Sequence, residues 1–427
     1  MVSTTEDDFN TPWPRVILHA DLNGFYAGVE CLYRPEIRDK PVAVSGDAAN
    51  RHGIILAKNE IAKRFGIKTG EAIWQARQKC PQLVVLTADY ARYLRYAALT
   101  RKILQDFSDQ VEPFGLDEAW IDVSASARLL GNGHDLADLI RRRTREELGL
   151  TCSVGVSYNK IFAKLGSDLK KPDATVIISP DNYRDLVWPR PVQELLYVGP
   201  STMRRLNRIG VRTIGALAGL RLQDARYLLG KWGEILWLFA RGQDDSEVGR
   251  GDAREIIKSI GNSTTTPRDL DTNHDVRIVL TVLAESVATR LRAAGLRCRT
   301  VQISIRDNRL LSIDRQQKLE QATDLASEIV RRAWTLFERY WDWTRPIRSL
   351  GVRGCDLVTA ARLEQLALLE DPHLYQRQKN LEATIDEIRR RYGYFSIQRG
   401  LMLSDRHLSG FNPREEHVIH PVSFPGL

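Results

Sequence analysis

One short segment restricts the fold of this chain more than any other. In VILHADLNGFYAGVE, residues 16–30, an apolar run leads into the carboxylate of Asp21. The run predicts a buried strand over residues 16–22, followed by a helix from about Phe25 to Tyr33. A charge at the end of a buried strand is unfavourable unless it is paired or binds a cation. We therefore expect a sheet that presents Asp21 at its edge.

A second pair of acids lies far along the chain, at the entrance to another apolar strand. Asp117 and Glu118 stand in a tight turn before AWIDV, residues 119–123. If this strand pairs antiparallel with that of Asp21, three carboxylates meet at one edge and raise one another's pKa. Two Mg²⁺ ions, which prefer oxygen ligands, would remove the repulsion and could clamp an in-line phosphoryl displacement. Ordinary exposed turn acids remain the alternative interpretation of the same residues.

Length and charge allow several domains and a polyanionic partner. A chain of 427 residues is long enough for about two to four domains. Its formal net charge of +8 and pI of about 9.2 fit a nucleic-acid partner and an evenly charged enzyme equally well. However, residues 250–350 hold 18 Lys and Arg against 13 Asp and Glu. This local excess indicates a surface for phosphates.

Three classes of protein are disfavoured by the sequence. The five cysteines are scattered and form no C-x-x-C pair, which argues for a reducing cytoplasm and against a disulfide framework or a zinc site. The N-terminal MVSTTEDDFN is acidic and polar, unlike a signal peptide. No apolar run approaches the roughly 20 residues of a membrane span. We expect a cytoplasmic protein.

The first half of the chain has the alternation of a split βαβ, ferredoxin-like sheet. The elements that predict it are strands at residues 16–22, 111–113, 119–123 and 152–156, with helices at residues 90–110 and 136–148. Further strands at residues 41–45 and 54–57 and a helix at residues 59–65 are expected between them. Residues 194–220 differ, because two short helices flank Gly210 and Val211. This hairpin places residues 199–202 at a helix N-terminus, where free backbone N–H groups can bind an anion.

The second half predicts a separate sheet. Residues 241–254 are polar and charged, as in an interdomain linker. Apolar and polar residues then alternate over 300–306 and again from 311 to 316, which predicts a hairpin with one apolar face. Helices at about 276–294 and 321–340 would cover that face. A further helix is expected near 376–392.

Four segments of the chain together resemble the motifs of Y-family DNA polymerases. HADLNGFYAGVE is similar to the first motif and GLDEAWIDVS to the S-x-D-E-x-x-x-D motif. CSVGVSYNKIFAKLGSDLKKPD resembles the third block, and LLYVGPSTMRRLNRIGVRTIGAL resembles the helix-hairpin-helix of the thumb. The motifs run in family order across about residues 16–357, and within the family the chain looks closest to the DNA polymerase IV type.

The resemblance implies an α+β right-hand polymerase with a ferredoxin-like palm, small fingers, a helix-hairpin-helix thumb and a C-terminal α/β little finger. The implied activity is low-fidelity, template-directed DNA synthesis past lesions in DNA repair. The implied boundaries are palm 1–24 and 86–180, fingers 25–85, thumb 181–243, linker 244–254, little finger 255–357 and C-terminal tail 358–427.

The resemblance also implies roles for single residues at the nucleotide. Asp21, Asp117 and Glu118 would hold two Mg²⁺ ions, for which Mn²⁺ can substitute, with the backbone carbonyl of Leu22 as a further ligand. Tyr26 would be the steric gate against a ribose 2′-hydroxyl. The other nucleotide-binding residues implied are Phe25, Lys63 and Lys171. Without the resemblance, Tyr26 reads as a core aromatic and the lysines as surface charges.

The implied partners are primer-template DNA, deoxynucleoside triphosphates and a sliding clamp. The backbone of Gly199, Pro200, Ser201 and Thr202 would bind a primer phosphate, and Arg306 would contact the duplex. After the last domain, Gln365-Leu366-Ala367-Leu368-Leu369 is similar to the clamp-binding peptide Q-L-x-L-F. We expect a monomer that does not bind membranes.

Four positions of these motifs depart from the family pattern. Gly115 replaces the usual Ser, Asn23 replaces a frequent second acid, and Glu60 stands where many members have Tyr. Lys63 replaces an Arg, which keeps the charge but loses the bidentate fork. Because the position of Asn23 is not a metal ligand in the family, activity should survive that change. Glu60 places a negative charge where a hydroxyl would meet phosphate, which alters that contact.

Two other functions are alternatives to the polymerase. A non-catalytic scaffold of a mutagenesis complex would be expected to lose the three acids, which are all present. A nucleotidyl cyclase can share a similar palm and two-metal chemistry, but it needs neither a hairpin thumb nor a basic C-terminal domain.

Overall fold

The computed structural model describes residues 13, 15–47, 53–127, 131–250, 257–360 and 372–413. These residues form two compact units that divide near residue 254. Both units mix helices and strands, which confirms the α+β class. No helix within the described ranges is long and apolar enough to cross a membrane.

The strands of the first unit form two sheets. In chain order they are β1 (Ile17–Leu22), β2 (Val42–Ser45), β3 (Ile55–Lys58), β4 (Val84–Thr87), β5 (Val111–Pro113), β6 (Glu118–Asp122), β7 (Cys152–Ser157) and β8 (Thr175–Ile178). The larger sheet has the order β5-β6-β1-β7-β8, and the smaller has the order β3-β2-β4. β1 is antiparallel to both of its neighbours, β6 and β7. All six residues of β1 are buried, which explains its apolar start.

The helices of the first unit cover these sheets and continue into a helical region. They are α1 (Phe25–Tyr33), α2 (Glu60–Arg64), α3 (Ile73–Lys79), α4 (Tyr90–Gln105), α5 (Gly133–Leu148), α6 (Lys160–Leu169), α7 (Tyr183–Val187), α8 (Pro200–Arg208), α9 (Ile214–Ala218), α10 (Leu222–Leu229) and α11 (Lys231–Ala240). Single 3₁₀ turns lie at Pro35–Ile37 and Val192–Glu194. One core joins α1, α4 and α5 to the larger sheet through Leu18, Phe25, Tyr93, Ile121 and Ile140.

The second unit is a four-stranded antiparallel sheet covered by helices. Its elements are β9 (Ser259–Leu270), α12 (Asn273–Ala293), β10 (Leu296–Asp307), β11 (Ser312–Thr323), α13 (Ala326–Tyr340) and β12 (Ile347–Thr359), in the sheet order β11-β10-β12-β9. The hairpin of β10 and β11 confirms the expected alternation, since Val301, Ile303 and Ile305 are buried.

Two boundaries expected from the sequence are wrong. The helix predicted over residues 90–110 ends at Gln105, because residues 106–110 form the turn that leads into β5. The helix predicted from residue 321 begins at Ala326, because β11 continues to Thr323. Residues 314–321 are mostly polar and carry no strong alternation. Backbone pairing with β10, from Arg306 opposite Ser312 to Cys298 opposite Thr323, holds them in the sheet.

The chain after residue 371 packs on the second unit. α14 (Pro372–Tyr392) contains the helix expected at 376–392 and begins four residues earlier. Two 3₁₀ turns, Tyr394–Ser396 and Gly400–Ser404, and the short helix α15 (Arg406–Ser409) follow. Leu408 is fully buried against the core of this unit.

The polar segment before residue 251 packs on the first unit. Residues 243–250 form no helix or strand, yet Val248 is only 2% exposed. The Gly249 N–H donates to Glu112 at 2.7 Å, and the Asn159 amide donates to the Gly242 carbonyl at 3.1 Å. These contacts hold the segment along the unit that carries the larger sheet.

Candidate active site

The register of the larger sheet brings the three predicted acids to one edge. Asp21 is the cross-strand partner of Glu118, and the Leu22 N–H donates to the Asp117 carbonyl at 2.9 Å. On its other side Asp21 faces Ser153 of β7. Antiparallel pairing of β1 and β6 therefore joins residues that are far apart in the sequence.

The three carboxylates differ in their affinity for protons. Burial raises the pKa of Asp117 to about 7, and the negative charges of Asp21 and Glu118 add to this effect. Burial opposes ionisation of Glu118 as well, but His19 and Lys164 outweigh it and lower the pKa of Glu118 to about 2. The edge thus contains one carboxyl group that accepts a proton near neutrality and one that stays ionised.

Two lysines lie against these acids. Lys164 Nζ is 3.0 Å from Asp21 Oδ2 and 2.5 Å from Glu118 Oε2. Lys171 Nζ is 2.7 Å from the same Asp21 oxygen and 2.8 Å from Asp168 Oδ1. Although burial opposes the charge of Lys164, Asp21 and Glu118 raise its pKa above the ordinary value. Burial likewise opposes the charge of Lys171, but Asp21 and Asp168 raise its pKa, so both lysines are ionised at neutral pH.

Lys171 was predicted from the sequence, but Lys164 was not. Lys164 lies four residues after Lys160 and seven before Lys171 in NKIFAKLGSDLKK. A spacing of four residues places Lys160 and Lys164 on one helix face, which was the available signal. A lysine on a helix usually faces solvent, and only the packing of α6 against β1 and β7 brings this one to the acids.

Close packing of α6 depends on a glycine in β7. A Cβ atom on Gly155 would lie 1.9 Å from the Ala163 carbonyl oxygen and 2.5 Å from the Ser167 nitrogen. Both atoms are α6 backbone, so a larger residue would push the helix away. The glycine of the SVGVS segment therefore sets the distance between Lys164 and the sheet edge.

A buried histidine contacts the Glu118 carboxylate. His19 is fully buried, with Nε2 3.3 Å from Glu118 Oε2 and Nδ1 2.9 Å from Ser167 Oγ. Burial lowers the pKa of His19, which favours the neutral imidazole. His19 thus links the Glu118 carboxylate to α6.

Tyr26 lies in a cluster of aromatic rings at the start of α1. Its ring stacks on that of Tyr93 at 4.2 Å between centroids and 11° between planes. The Tyr93 hydroxyl donates to the buried Glu30 at 3.1 Å, and Arg92 pairs with the same carboxylate. Phe25 is only 2% exposed, and its ring contacts those of Tyr26 and Tyr93. The cluster fixes the plane of the Tyr26 ring.

Lys63 lies in α2, beside the smaller sheet. Its side chain is half-exposed and lies 3.3 Å from Glu60 Oε1. The turn before α1 approaches this region closely, because a Cβ atom on Gly24 would lie 2.8 Å from the Lys58 carbonyl oxygen. Gly24 also has a φ of 55°, which favours glycine. The structure therefore pairs Lys63 with Glu60 rather than with the three acids.

The donor set suits a hard divalent cation, although it is not arranged as a finished coordination sphere. Carboxylate oxygens and the Leu22 carbonyl are the ligands that Mg²⁺ prefers. Asp117 lines a small cavity together with Asp21, Leu22 and Glu118. Within the described ranges, no three His, Cys, Asp or Glu side chains converge closely enough to hold a metal as they stand. The residues present thus fit the ion by the chemistry of their donor atoms.

The predicted phosphate-binding hairpin has the expected geometry in the helical region. Gly199 is the N-cap of α8, Pro200 is its first residue, and no side chain caps the helix. Residues 199–212 hold four arginines and no acid. Ser201 is exposed and Thr202 partly so. The free N–H groups and the positive charge favour an anion at this helix terminus.

In the second unit, Arg306 lies on the polar face of the sheet. Its side chain is exposed and donates to the Leu310 carbonyl at 3.3 Å. Gln302 and Ser304 alternate with the buried residues of β10, and Arg353 of β12 is the cross-strand partner of Gln302. The clamp-like segment Gln365–Leu369 lies outside the described residues.

Comparison with known proteins gives consistent matches. The model of the impB/mucB/samB family matches residues 20–168, and that of its C-terminal domain matches residues 257–368. DNA polymerase IV of Acetivibrio thermocellus is 51% identical over 395 residues, which cover 92% of this chain and 99% of the relative. DNA polymerase IV of Pelotomaculum thermopropionicum is 37% identical over 91% of this chain and 95% of its own length.

The fold has a solved counterpart. A Y-family DNA polymerase chimera superimposes with a TM-score of 0.70 at 22% identity, over 81% of this chain and 99% of the chimera. This likeness confirms the right-hand architecture of palm, fingers, thumb and little finger.

Proposed function

The chain belongs to the impB/mucB/samB family of Y-family DNA polymerases, and we propose that the edge of its larger sheet is the site of nucleotidyl transfer. It is a template-directed DNA polymerase of the translesion type. We assign the larger sheet to the palm, the β3-β2-β4 sheet to the fingers, α8–α11 to the thumb and the second unit to the little finger.

The register that places Asp21 opposite Glu118, with Asp117 beside them, carries the proposal. Family membership implies a divalent metal, and Asp21, Asp117, Glu118 and the Leu22 carbonyl would hold two Mg²⁺ ions or Mn²⁺ in their place. When bound, such ions favour the ionised primer 3′-hydroxyl and neutralise charge at the α-phosphate. The pKa of about 7 at Asp117 means that this carboxyl group exchanges its proton for a cation at little cost near neutrality.

The neighbouring cations and the aromatic cluster select the nucleotide. Lys171, at the palm edge, contributes positive charge to the triphosphate, and Lys63 of the fingers is a second candidate. Tyr26 acts as the steric gate, because stacking on Tyr93 prevents its ring from turning away from a ribose 2′-hydroxyl. Phe25 supports this ring from the core.

Primer-template DNA is bound through its backbone. The N–H groups of residues 199–202 bind a primer phosphate, and Arg306 and Arg353 contact the duplex from the polar face of the second unit. Such contacts hold DNA without reading its sequence. Binding should therefore be tolerant of sequence and should weaken with rising salt.

A sliding clamp is a further proposed partner, and we expect a monomer in the bacterial cytoplasm. The clamp is supported by the similarity of Gln365, Leu366, Leu368 and Leu369 to the clamp-binding peptide, although Leu369 replaces the usual Phe. Deletion of residues 365–369 should abolish stimulation by the clamp and leave basal synthesis intact. Equal stimulation of the deleted and complete chains would refute this partner.

The proposed function is tested by extension across a lesion. Wild-type protein, Mg²⁺ and deoxynucleoside triphosphates are incubated with a primer whose template carries an abasic site one nucleotide ahead. We expect products longer than the lesion position, and none when EDTA is added. Failure to extend even an undamaged template with Mg²⁺ or Mn²⁺ would favour the non-catalytic scaffold instead.

A further inference from the structure

Asn23 joins three segments of the palm through one side chain. It lies two residues after Asp21, where β1 leads into α1. Its amide nitrogen donates to Ser153 Oγ at 3.0 Å, and its amide oxygen accepts from the Asp173 N–H at 2.8 Å. Its own backbone N–H donates to the Thr151 carbonyl at 2.8 Å. The side chain therefore connects β1, β7 and the turn after α6.

The turn that Asn23 holds is the one that carries Lys171. Asp173 follows Lys171 by two residues and has a φ of 51°, an uncommon conformation for a residue with a side chain. The Asp173 carboxylate is paired with Arg141 and Arg145 of α5. Next to it, the Val154 N–H donates to the Ala174 carbonyl at 2.9 Å. The Asp173 backbone N–H is thus the group through which Asn23, at the end of β1, holds this turn.

We propose that Asn23 is a positioning residue that sets the place of Lys171 relative to Asp21. The two segments are joined twice, by Asn23 to Asp173 and by Lys171 Nζ to Asp21 Oδ2 at 2.7 Å. Each contact lies two residues from the other along both segments. By holding the Asp173 backbone, Asn23 fixes the position from which the flexible Lys171 side chain extends. This inference rests on the proposed role of Lys171 at the triphosphate.

An amide suits this place better than the acid found in many family members. Asn23 donates and accepts at once, so both Ser153 and the Asp173 N–H are satisfied. An aspartate could keep both contacts only if the Ser153 hydroxyl reversed its role as acceptor. It would also add a fourth negative charge beside Asp21, Asp117 and Glu118. Replacement by aspartate should therefore keep the position of Lys171, whereas leucine, of similar volume, should lose it.

The test is steady-state incorporation of one nucleotide by the full chain on an undamaged primer-template. For Asn23→Leu we expect KM for the deoxynucleoside triphosphate to rise about tenfold, kcat to fall less than about threefold, and DNA affinity to stay unchanged. Asn23→Asp should recover most of the KM. A role in stability alone would lower the melting temperature without this division between KM and kcat.

Two further variants make the result decisive. In the double variant Asn23→Leu/Lys171→Met, KM should be no higher than in Lys171→Met alone, because Asn23 acts by positioning Lys171. Asn182→Leu is the matched control, since the Asn182 amide also accepts from one group, the Ser179 N–H, and donates to another, the Ile177 carbonyl, without contacting Lys171. Its KM should stay at the wild-type value.

The inference and the proposed function fail in different ways. The inference is overturned, and the polymerase assignment stands, if wild-type protein extends primers while Asn23→Leu keeps the wild-type KM. The same conclusion follows if the separate effects of Asn23→Leu and Lys171→Met on KM multiply in the double variant. If wild-type protein does not extend primers at all, the assignment fails first. Should Asn23→Leu melt below the assay temperature, Asn23→Ala, which removes the amide without an apolar branch, gives the same comparison.

Discussion

At the residue scale, the proton affinity of Asp117 distinguishes this site from a row of surface acids. Its pKa lies near 7, whereas that of its neighbour Glu118 lies near 2. The difference arises because Lys164 and His19 contact Glu118, while Asp117 faces two negative charges. One strand end therefore contains two carboxyl groups that behave differently at neutral pH.

This difference predicts a pH-dependent stability in the absence of divalent metal. Because the folded pKa of Asp117 exceeds its ordinary value of 3.8, the folded chain keeps a proton that the unfolded chain loses between about pH 4 and pH 7. Stability should fall as the pH rises through that window. The side chain introduced by Asp117→Asn does not titrate. In EDTA, the unfolding free energy of this variant relative to that of wild type should therefore rise by roughly 2–3 kcal/mol from pH 5 to pH 8. Denaturant unfolding of both proteins at the two pH values measures this change, and the same difference between variant and wild type at both pH values would contradict the prediction.

Single residues could be predicted from the sequence where a pattern marked them. Asp21 ends an apolar strand, and Asp117 with Glu118 precedes another, so their meeting required only that the two strands pair. Lys164 was missed because its partners come from two other strands. The hydrogen bonds of Asn23 could not be predicted either. That Asn23 replaces an acid gave no indication that its partners would be Ser153 and a backbone N–H.

At the element scale, the distance between α6 and β7 determines whether the lysines reach the acids. Gly155 of β7 and Gly166 of α6 face each other, and a Cβ atom on Gly166 would lie 3.0 Å from the Gly155 Cα. Two glycines allow the helix to approach the strand closely. Lys164 and Lys171 then lie over the edge that carries Asp21.

Gly155→Ala should disrupt this approach. The added methyl group would clash with α6 backbone at 1.9 Å, which side-chain movement cannot relieve. We expect a loss of about 2 kcal/mol or more in unfolding free energy together with a loss of primer extension. Gly219→Ala is the control, because its Cβ would meet only ordinary contacts at 3.5 Å or beyond. Normal stability of Gly155→Ala would show that the helix is not held at this distance.

Elements with strong periodicity were predictable and those with weak periodicity were not. α1 has the bounds expected from the sequence, Phe25–Tyr33, because a buried face repeats along it. β11 extended to Thr323 beyond its expected end, because polar residues at 314–321 reveal nothing about backbone pairing. Its pairing with β10, not its own side chains, decides that this segment is a strand.

At the scale of the whole molecule, the segment after residue 371 is part of the second unit. Glu285 of α12 is 4% exposed and pairs with Arg389 at 2.8 Å and with Arg399 at 2.5 Å. Glu382 of α14 accepts from the Ala326 N–H at the start of α13 and pairs with Arg292. Buried acids of one helix are thus neutralised by arginines of another.

Removing one of these arginines should therefore weaken the second unit. Arg389→Met leaves the buried Glu285 with one partner fewer, and we expect a loss of about 3 kcal/mol in unfolding free energy. The adjacent Arg390 is the matched control, because its side chain is 71% exposed against 9% for Arg389 and pairs with Glu387 at the surface. Calorimetry of the full chain should show a lower melting temperature for Arg389→Met only. Equal melting of both variants would mean that the segment contributes no stability through this contact.

Primer extension with Mg²⁺ tests whether the edge formed by Asp21, Asp117 and Glu118 performs nucleotidyl transfer. The comparison uses wild type, Asp117→Ala and Asp122→Asn on one undamaged primer-template. Asp122 lies at the opposite end of β6, where it accepts hydrogen bonds from Ser124. We expect extension by wild type and Asp122→Asn and none by Asp117→Ala. Extension by Asp117→Ala at the wild-type rate would show that this edge does not perform the transfer.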